Sequence, residues 1–345
     1  MIERSEIRPG VSISRIVKGG WHLAGGHGDI DHDQAVQDMA TFVEAGITTF
    51  DVADIYTGVE DLIGDFRKKY PSLADSININ SKFVPDFDSI GDVGEAYVEA
   101  MIHKSLKRLG KEQLDMAQFH WWDTAVPGYV DFAMALKKMQ DKGMIGLLGV
   151  TNFNTDALRE LVDAGYPLAT NHVQYSVLDR RPEQQMTGLC KAQDTQYFCY
   201  GALAGGFLSA DWLGKPEPGD AFSNRSLTKY KLIIDDFGGW DLFQRLLQTL
   251  SAIAGRHKAT IGQVAVAWTL SRPQVACAVV GATSTRHLDE NSRIFDLKLT
   301  DQDFADIDAV SAKAAGPAGD VYDLERDKNG RHGRIMHYNL NDGRV

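Results

Sequence analysis

A chain of 345 residues, 43% hydrophobic and 24% charged, can bury a large core under a charged surface, so disorder throughout is excluded. Its 47 acidic and 36 basic residues give a formal charge of −11, which opposes phosphate backbones and anionic headgroups. Nucleic acid and membrane are therefore not expected partners.

The opening residues, MIERSEIRPGVSISRI, carry no apolar leader core, and no later run approaches the roughly 20 apolar residues of a spanning helix. The expectation is a cytoplasmic protein. Cys190, Cys199 and Cys277 are odd in number and set in apolar stretches, which suits reduced, buried thiols better than a disulfide framework.

Short apolar runs rich in β-branched residues alternate with helical periods, the pattern of βα units on a parallel sheet. In chain order, strands are expected at Arg15 to Trp21, Thr48 to Ala53, Ile77 to Phe83 and Leu114 to His120. Four more follow at Ile145 to Val150, Ala169 to Val173, Gln196 to Tyr200 and Ala276 to Val280. Helical patterns fall near 33–45, 92–109, 129–142, 154–164, 182–193 and 240–257. Gly46, Gly110 and Gly143 stand where a left-handed residue ends a helix, and Asn154 stands as an N-cap. Eight such units imply a (β/α)8 TIM barrel and one domain over 1–345. Two segments interrupt it: a long loop from Ser209 to Gly239 after strand seven, and a C-terminal extension over 313–345, whose structure the pattern does not specify.

In a barrel of this kind the strand C-termini face the site. Strand two ends in FDVADIYTG, giving Asp51 and Tyr56; strand three ends in NSKF, giving Lys82; strand four ends in QFHWWD, giving His120. Their chemistry is complementary. A phenol with an ordinary pKa of about 10 is a poor proton donor near neutrality, and a neighbouring ammonium lowers it. Lys82 would supply that charge, Asp51 would hold Lys82 protonated, and His120 would donate a hydrogen bond to a carbonyl oxygen. Read from residues alone, Asp51 with Lys82 is equally an ordinary buried ion pair, and Lys82 is equally a Schiff-base lysine of a barrel lyase. No histidine or cysteine set has metal-ligand spacing, so no metal is expected.

Asp51, Tyr56, Lys82 and His120 resemble the Asp, Tyr, Lys, His tetrad of the aldo-keto reductase superfamily, and FDVADIYTG resembles its strand-two motif, with Val52 for Thr and Thr57 for Gly. The resemblance implies NAD(P)H-dependent reduction of an aldehyde or ketone, or the reverse, with Tyr56 as general acid or base. It implies that Thr151 and Asn152 of GVTNF, and His172 where Gln is usual, contact the nicotinamide carboxamide. It implies that Tyr200 stacks on the nicotinamide while Gly201, Ala202, Leu203 and Gly205 admit the pyrophosphate. From VVGATSTRHLDEN it assigns Gly281, Thr283, His287, Glu290 and Asn291 to the adenosine end, and Arg225 is expected to fold over the cofactor. Gly281 and His287 stand where Lys and Arg hold the 2′-phosphate in many members; family habit favours NADP, with NAD possible. Trp21 and Trp121 resemble the aromatic lining of the substrate pocket. The partner implied is a small carbonyl or alcohol, with oligomeric state open. The superfamily also includes regulatory subunits, so a cofactor-binding redox sensor with little turnover is the alternative.

Overall fold

The computed structural model describes residues 1–24, 30–219, 222, 224–282 and 284–341. Two antiparallel strands open the chain, β1 (Arg4–Arg8) and β2 (Val11–Ser14). The sequence pattern above does not foresee this hairpin. Its Ile7 and Ile13 pack with Val17, Met116, Ala169 and Phe198, closing one end of the barrel.

The barrel strands follow as β3 (Ile16–Gly19), β4 (Thr49–Asp51), β5 (Asn78–Phe83), β6 (Leu114–His120), β7 (Ile145–Thr151), β8 (Leu168–Gln174), β9 (Gln196–Tyr200) and β10 (Val275–Gly281). Each lies parallel to the next, and β10 pairs with both β9 and β3, so the sheet closes. All eight coincide with the expected strands to within a few residues at each end. The helices are α1 (His32–Glu44), α2 (Val59–Lys69), α3 (Pro71–Ala74), α4 (Glu95–Leu109), α5 (Tyr129–Asp141), α6 (Thr155–Asp163) and α7 (Met186–Ala192). Then come α8 (Arg225–Phe237), α9 (Gly239–His257), α10 (Ile261–Leu270), α11 (Leu288–Ser292), α12 (Asp301–Ser311) and α13 (Asp323–Arg326). Gly110 caps α4 at φ 62°, and the Asn154 side chain accepts from Ala157 N at 3.1 Å to start α6.

Side-chain alternation along β6 positions the site. Gln118 hydrogen-bonds Thr170 across the barrel interior, whereas Phe119 meets Phe132, Phe153 and Tyr166 in the helical layer. With period two, His120 returns to the interior at the strand's C-terminal end.

One expectation needs correction. The segment from Ser209 to Gly239 is not one long loop, because α8 occupies 13 of its residues, capped by Asn224 accepting from Ser226 N at 2.8 Å. Residues 313–341 of the C-terminal extension, which have no strong period, pack onto the barrel. Single polar anchors tie it across the barrel mouth: Asp320 to Thr155 N at 2.7 Å, His332 to Asp236 at 2.7 Å, and Asn341 to Val84 O at 2.6 Å. The buried Arg181 joins it from below, bound to Asp179 at 2.7 Å and to Glu325 at 3.2 Å.

Candidate active site

The parallel register aligns the strand ends, with Gly19 opposite Asp51, Asp51 opposite Asn80, His120 opposite Thr151 and Thr151 opposite His172. Lys82 Nζ donates to Asp51 Oδ2 at 2.6 Å and to Val52 O at 2.8 Å, with both side chains only 4% exposed. Beneath them, Asn80 donates to Asp51 Oδ1 at 2.7 Å and to Gln118 Oε1 at 3.1 Å, so the carboxylate is held on both oxygens. Tyr56 leans over this pair, its ring centroid 5.3 Å from Lys82 Nζ and 5.2 Å from the Trp21 ring.

These side chains border a cavity of about 520 Å³ at the barrel mouth, with His120, Trp21 and Trp122 around it. The cavity runs on past Thr151, Asn152, His172 and Tyr200 to Gly201, Ala202, Leu203 and Gly205. It reaches Arg225 on α8, then Gly281 and His287 at the far side. One continuous space therefore joins most of the expected residues.

Three of them lie elsewhere. Trp121 is fully buried, its ring against Tyr129 and Phe132 and its Nε1 donating to Val126 O at 3.0 Å. The reason is the alternation that turns His120 inward: Trp121 must face the helices, and Trp122 takes the pocket position. Glu290 and Asn291 do not border the cavity. Glu290 accepts from the hydroxyl of Thr260, the N-cap of α10, and lies 3.2 Å from His287 Nδ1, while Asn291 is the buried residue of α11. Thr283 lies outside the described residues.

Other lining residues carried no signal in the sequence reading. Tyr322, Ile335, Met336, His337 and Leu340 come from the C-terminal extension. Lys229 also borders the cavity, one helical turn beyond Arg225, a spacing that would have found it. Its Nζ lies 4.8 Å from the Tyr200 ring centroid and 4.0 Å from Glu325. Arg326, partly buried, donates to Asn152 O at 2.7 Å. Asn152 sits at φ 62°, a costly conformation for a non-glycine residue that is fixed on three sides. Its N–H donates to His172 O at 2.9 Å, its carbonyl accepts from Arg326, and its Oδ1 accepts from the Tyr200 hydroxyl at 2.8 Å.

Electrostatics bears on two expected roles. Burial pushes the Tyr56 phenol up from its ordinary value, and the carboxylates of Asp51 and Asp54 push it further. Burial pulls Lys82 down against the opposing attraction of Asp51. Lys82 is committed to Asp51 at 2.6 Å, so much of its charge is balanced there and the net shift of the phenol is upward. Tyr56 is therefore a neutral phenol here, not a preformed phenolate. His120 is held down to about 3, first by burial and then by the Arg326 charge. Its Nδ1 lies 3.1 Å from Thr151 O, an atom that can only accept. A neutral ring that carries its proton on Nδ1 would donate it to that carbonyl.

The donor set fits a nicotinamide dinucleotide. His172 is buried with no hydrogen bond to either ring nitrogen among the described residues, and it borders the cavity beside Asn152. A Cβ on Gly201, at φ 79°, would stand 2.5 Å from the Tyr230 hydroxyl, and one on Gly205 would stand 2.8 Å from the same ring. Bare backbone at this turn therefore lines the cavity without colliding with α8. At Gly281 a Cβ would lie 1.9 Å from the His22 ring, so that imidazole takes the space a longer side chain would need. Among the described residues no three His, Cys, Asp or Glu side chains group as a metal site.

Residues 15–312 match the model of the aldo/keto reductase family. The chain belongs to that family. This aldo/keto reductase is 27% identical over 320 residues to probable aldo-keto reductase 1 of Glycine max, covering 90% of this chain and 88% of that one. It is 24% identical over 313 residues to the NADH-specific methylglyoxal reductase of Escherichia coli (strain K12), covering 85% and 93%. Its fold matches that of an aldo/keto reductase from Klebsiella pneumoniae in complex with NADP and acetate, with a TM-score of 0.67 at 23% identity, covering 90% and 94%. Nicotinamide-dependent oxidoreduction is the family's chemistry. No helix among the described residues is long and apolar enough to cross a membrane.

Proposed function

We propose that this chain reduces an aldehyde or ketone to an alcohol, or runs the reverse, with Tyr56 as the general acid or base and the whole chain acting as one unit. The observation that carries the reading is the Asp51–Lys82 pair, 4% exposed, under Tyr56 at the edge of a cavity that continues to bare backbone at Gly201 and Gly205. A buried ion pair alone is only a structural feature. Here it adjoins a phenol that opens on a cavity large enough for a small ligand.

The bound dihydronicotinamide supplies the hydride. Thr151, Asn152 and His172 hold the carboxamide end, and the Tyr200 ring backs it. Gly201 to Gly205 and Arg225 take the phosphates, with His287 towards the adenosine. Tyr56 gives its proton to the substrate oxygen as negative charge builds there. The ammonium of Lys82, 5.3 Å from the ring, then steadies the phenolate until it is reprotonated. Trp21 and Trp122 exclude water from the reacting carbonyl.

NADP is the proposed cofactor, in keeping with family habit and with the Klebsiella relative. NAD is the second reading. It is favoured by the glycine at 281 and by the Glu290 carboxylate 3.2 Å from His287, which would repel a 2′-phosphate. Quenching of the tryptophan fluorescence by NADPH and by NADH tests both, followed by cofactor oxidation across a panel of small carbonyls. Tight binding without oxidation of either cofactor would favour a sensor over an enzyme.

A further inference from the structure

Resting on the reading above, we infer that Arg326 of the C-terminal extension is a positioning residue for the cofactor, holding the Asn152 backbone in its left-handed conformation and so setting that side chain for the nicotinamide carboxamide. Asn152 sits at φ 62°, which a residue with a Cβ keeps only where its surroundings over-determine it. Its carbonyl accepts from Arg326 Nη2 at 2.7 Å, and the same nitrogen donates to Trp121 O at 3.4 Å. One guanidinium nitrogen thus joins the two loops that leave β6 and β7.

The arm is itself held. On α13, Asp323 Oδ1 accepts from Asn154 Nδ2 at 3.0 Å, and Glu325 Oε2 accepts from Arg181 at 3.2 Å. Just before the helix, Asp320 Oδ2 accepts from Thr155 N at 2.7 Å. The extension therefore meets Asn152, Asn154 and Thr155 in turn, along the segment between β7 and α6. Among the described residues Arg326 pairs with no carboxylate, and its Nε and Nη1 are buried without a hydrogen-bond partner. Its side-chain bonds are those to the two peptide carbonyls.

Asn152 Oδ1 accepts from the Tyr200 hydroxyl at 2.8 Å, which leaves Nδ2, with no hydrogen bond among the described residues, as a donor at the cavity wall. A carboxamide oxygen is the complement of that donor. Without Arg326 the Asn152 peptide is free to turn to an ordinary φ, and the side chain turns with it. The lining at Gly281 and His287 shares none of these bonds, so the loss should fall on the nicotinamide end alone.

Calorimetry compares NADPH with 2′-phospho-ADP-ribose, the same molecule without its nicotinamide ring, on the wild type and on Arg326→Met. NADPH affinity should fall by at least about tenfold and that of the fragment by less than about twofold. A merely structural role would weaken both alike; that result, or no change in either, overturns the inference while leaving the reductase reading intact. Failure of the wild type to bind NADPH or NADH removes the reductase reading, and the inference with it; if only NADH binds, NADH and ADP-ribose take their places. Guanidinium chloride at sub-denaturing concentration should restore cofactor affinity in Arg326→Met beyond what equimolar sodium chloride does. Where the fragment binds too weakly to titrate, absence of that rescue overturns the inference. Should Arg326→Met not fold, Arg326→Lys decides with the same ligands. Its chain ends one bond short of Nη2, so the cofactor should weaken by at least about threefold with the fragment unchanged; parallel behaviour of the two ligands overturns the inference.

Discussion

Losing both members of the Asp51–Lys82 pair should cost far less than the sum of the two single losses. Lys82→Met leaves the Asp51 carboxylate buried, with Asn80 at 2.7 Å as its remaining bonded side chain. Asp51→Asn leaves a buried ammonium with Val52 O at 2.8 Å. Removing one partner of a buried pair typically costs about 3 to 5 kcal/mol, and the surviving bond on each side argues for the lower end, about 3 kcal/mol each. The double variant carries no unbalanced charge, and Met is close to Lys in length, so it too should cost no more than about 3 kcal/mol. The coupling is then about 3 kcal/mol, the upper end of what touching side chains show. Urea unfolding of all four proteins measures it, provided the denaturant slopes agree. Single costs below about 1 kcal/mol, or effects that simply add, would refute the buried pairing.

Three further outcomes follow from the site. Tyr56→Phe removes only the proton carrier, so kcat should fall by about 10² to 10⁴ while the cofactor still quenches tryptophan fluorescence at unchanged affinity; near-normal turnover would count against the assignment. His172 is held down to about 3 by burial, against an ordinary value of 6.5, so below pH 6.5 the unfolded chain binds a proton that the folded chain refuses. Stability is therefore full above 6.5 and falls as the pH drops towards 3, by about 1.4 kcal/mol per pH unit for that ring; His172→Gln should flatten the curve, and parallel urea midpoints between the two proteins would contradict this. Trp121→Ala should cost about 3 to 5 kcal/mol of stability, whereas Trp122→Ala, with one face on the cavity, should act more on KM for substrate. The opposite assignment of effects would show that the two rings had been read the wrong way round.

The barrel was legible because its strands are short, largely apolar runs, several of which close on a polar residue that borders the cavity. Asp51, Lys82 and His120 could be placed at one mouth from strand ends alone, since parallel strands of a barrel all finish on the same side. The orientation of Trp121 was also legible: one step of alternation beyond an inward His120 sends it outward. What the pattern could not provide is the contact between His120 Nδ1 and Thr151 O, which depends on the pairing of β6 with β7, not on any local motif. The α8 helix was hidden behind Pro216, Pro218 and Gly219, whose turn chemistry dominates the segment before Asn224 opens the helix.

The C-terminal extension escaped for a different reason, and it shapes the chemistry of the site. An amphipathic period betrays a segment that buries a continuous face, but residues 316–341 are held by separate side chains reaching different parts of the barrel. Such anchoring leaves no periodic trace. Among those side chains Arg326 matters most, because its guanidinium touches the backbone that follows both β6 and β7, donating to Trp121 O at 3.4 Å and to Asn152 O at 2.7 Å. The same charge helps keep His120 neutral. The tail is thus part of the proton arrangement at the strand ends as well as a wall of the cavity, through a residue that touches neither Tyr56 nor Lys82.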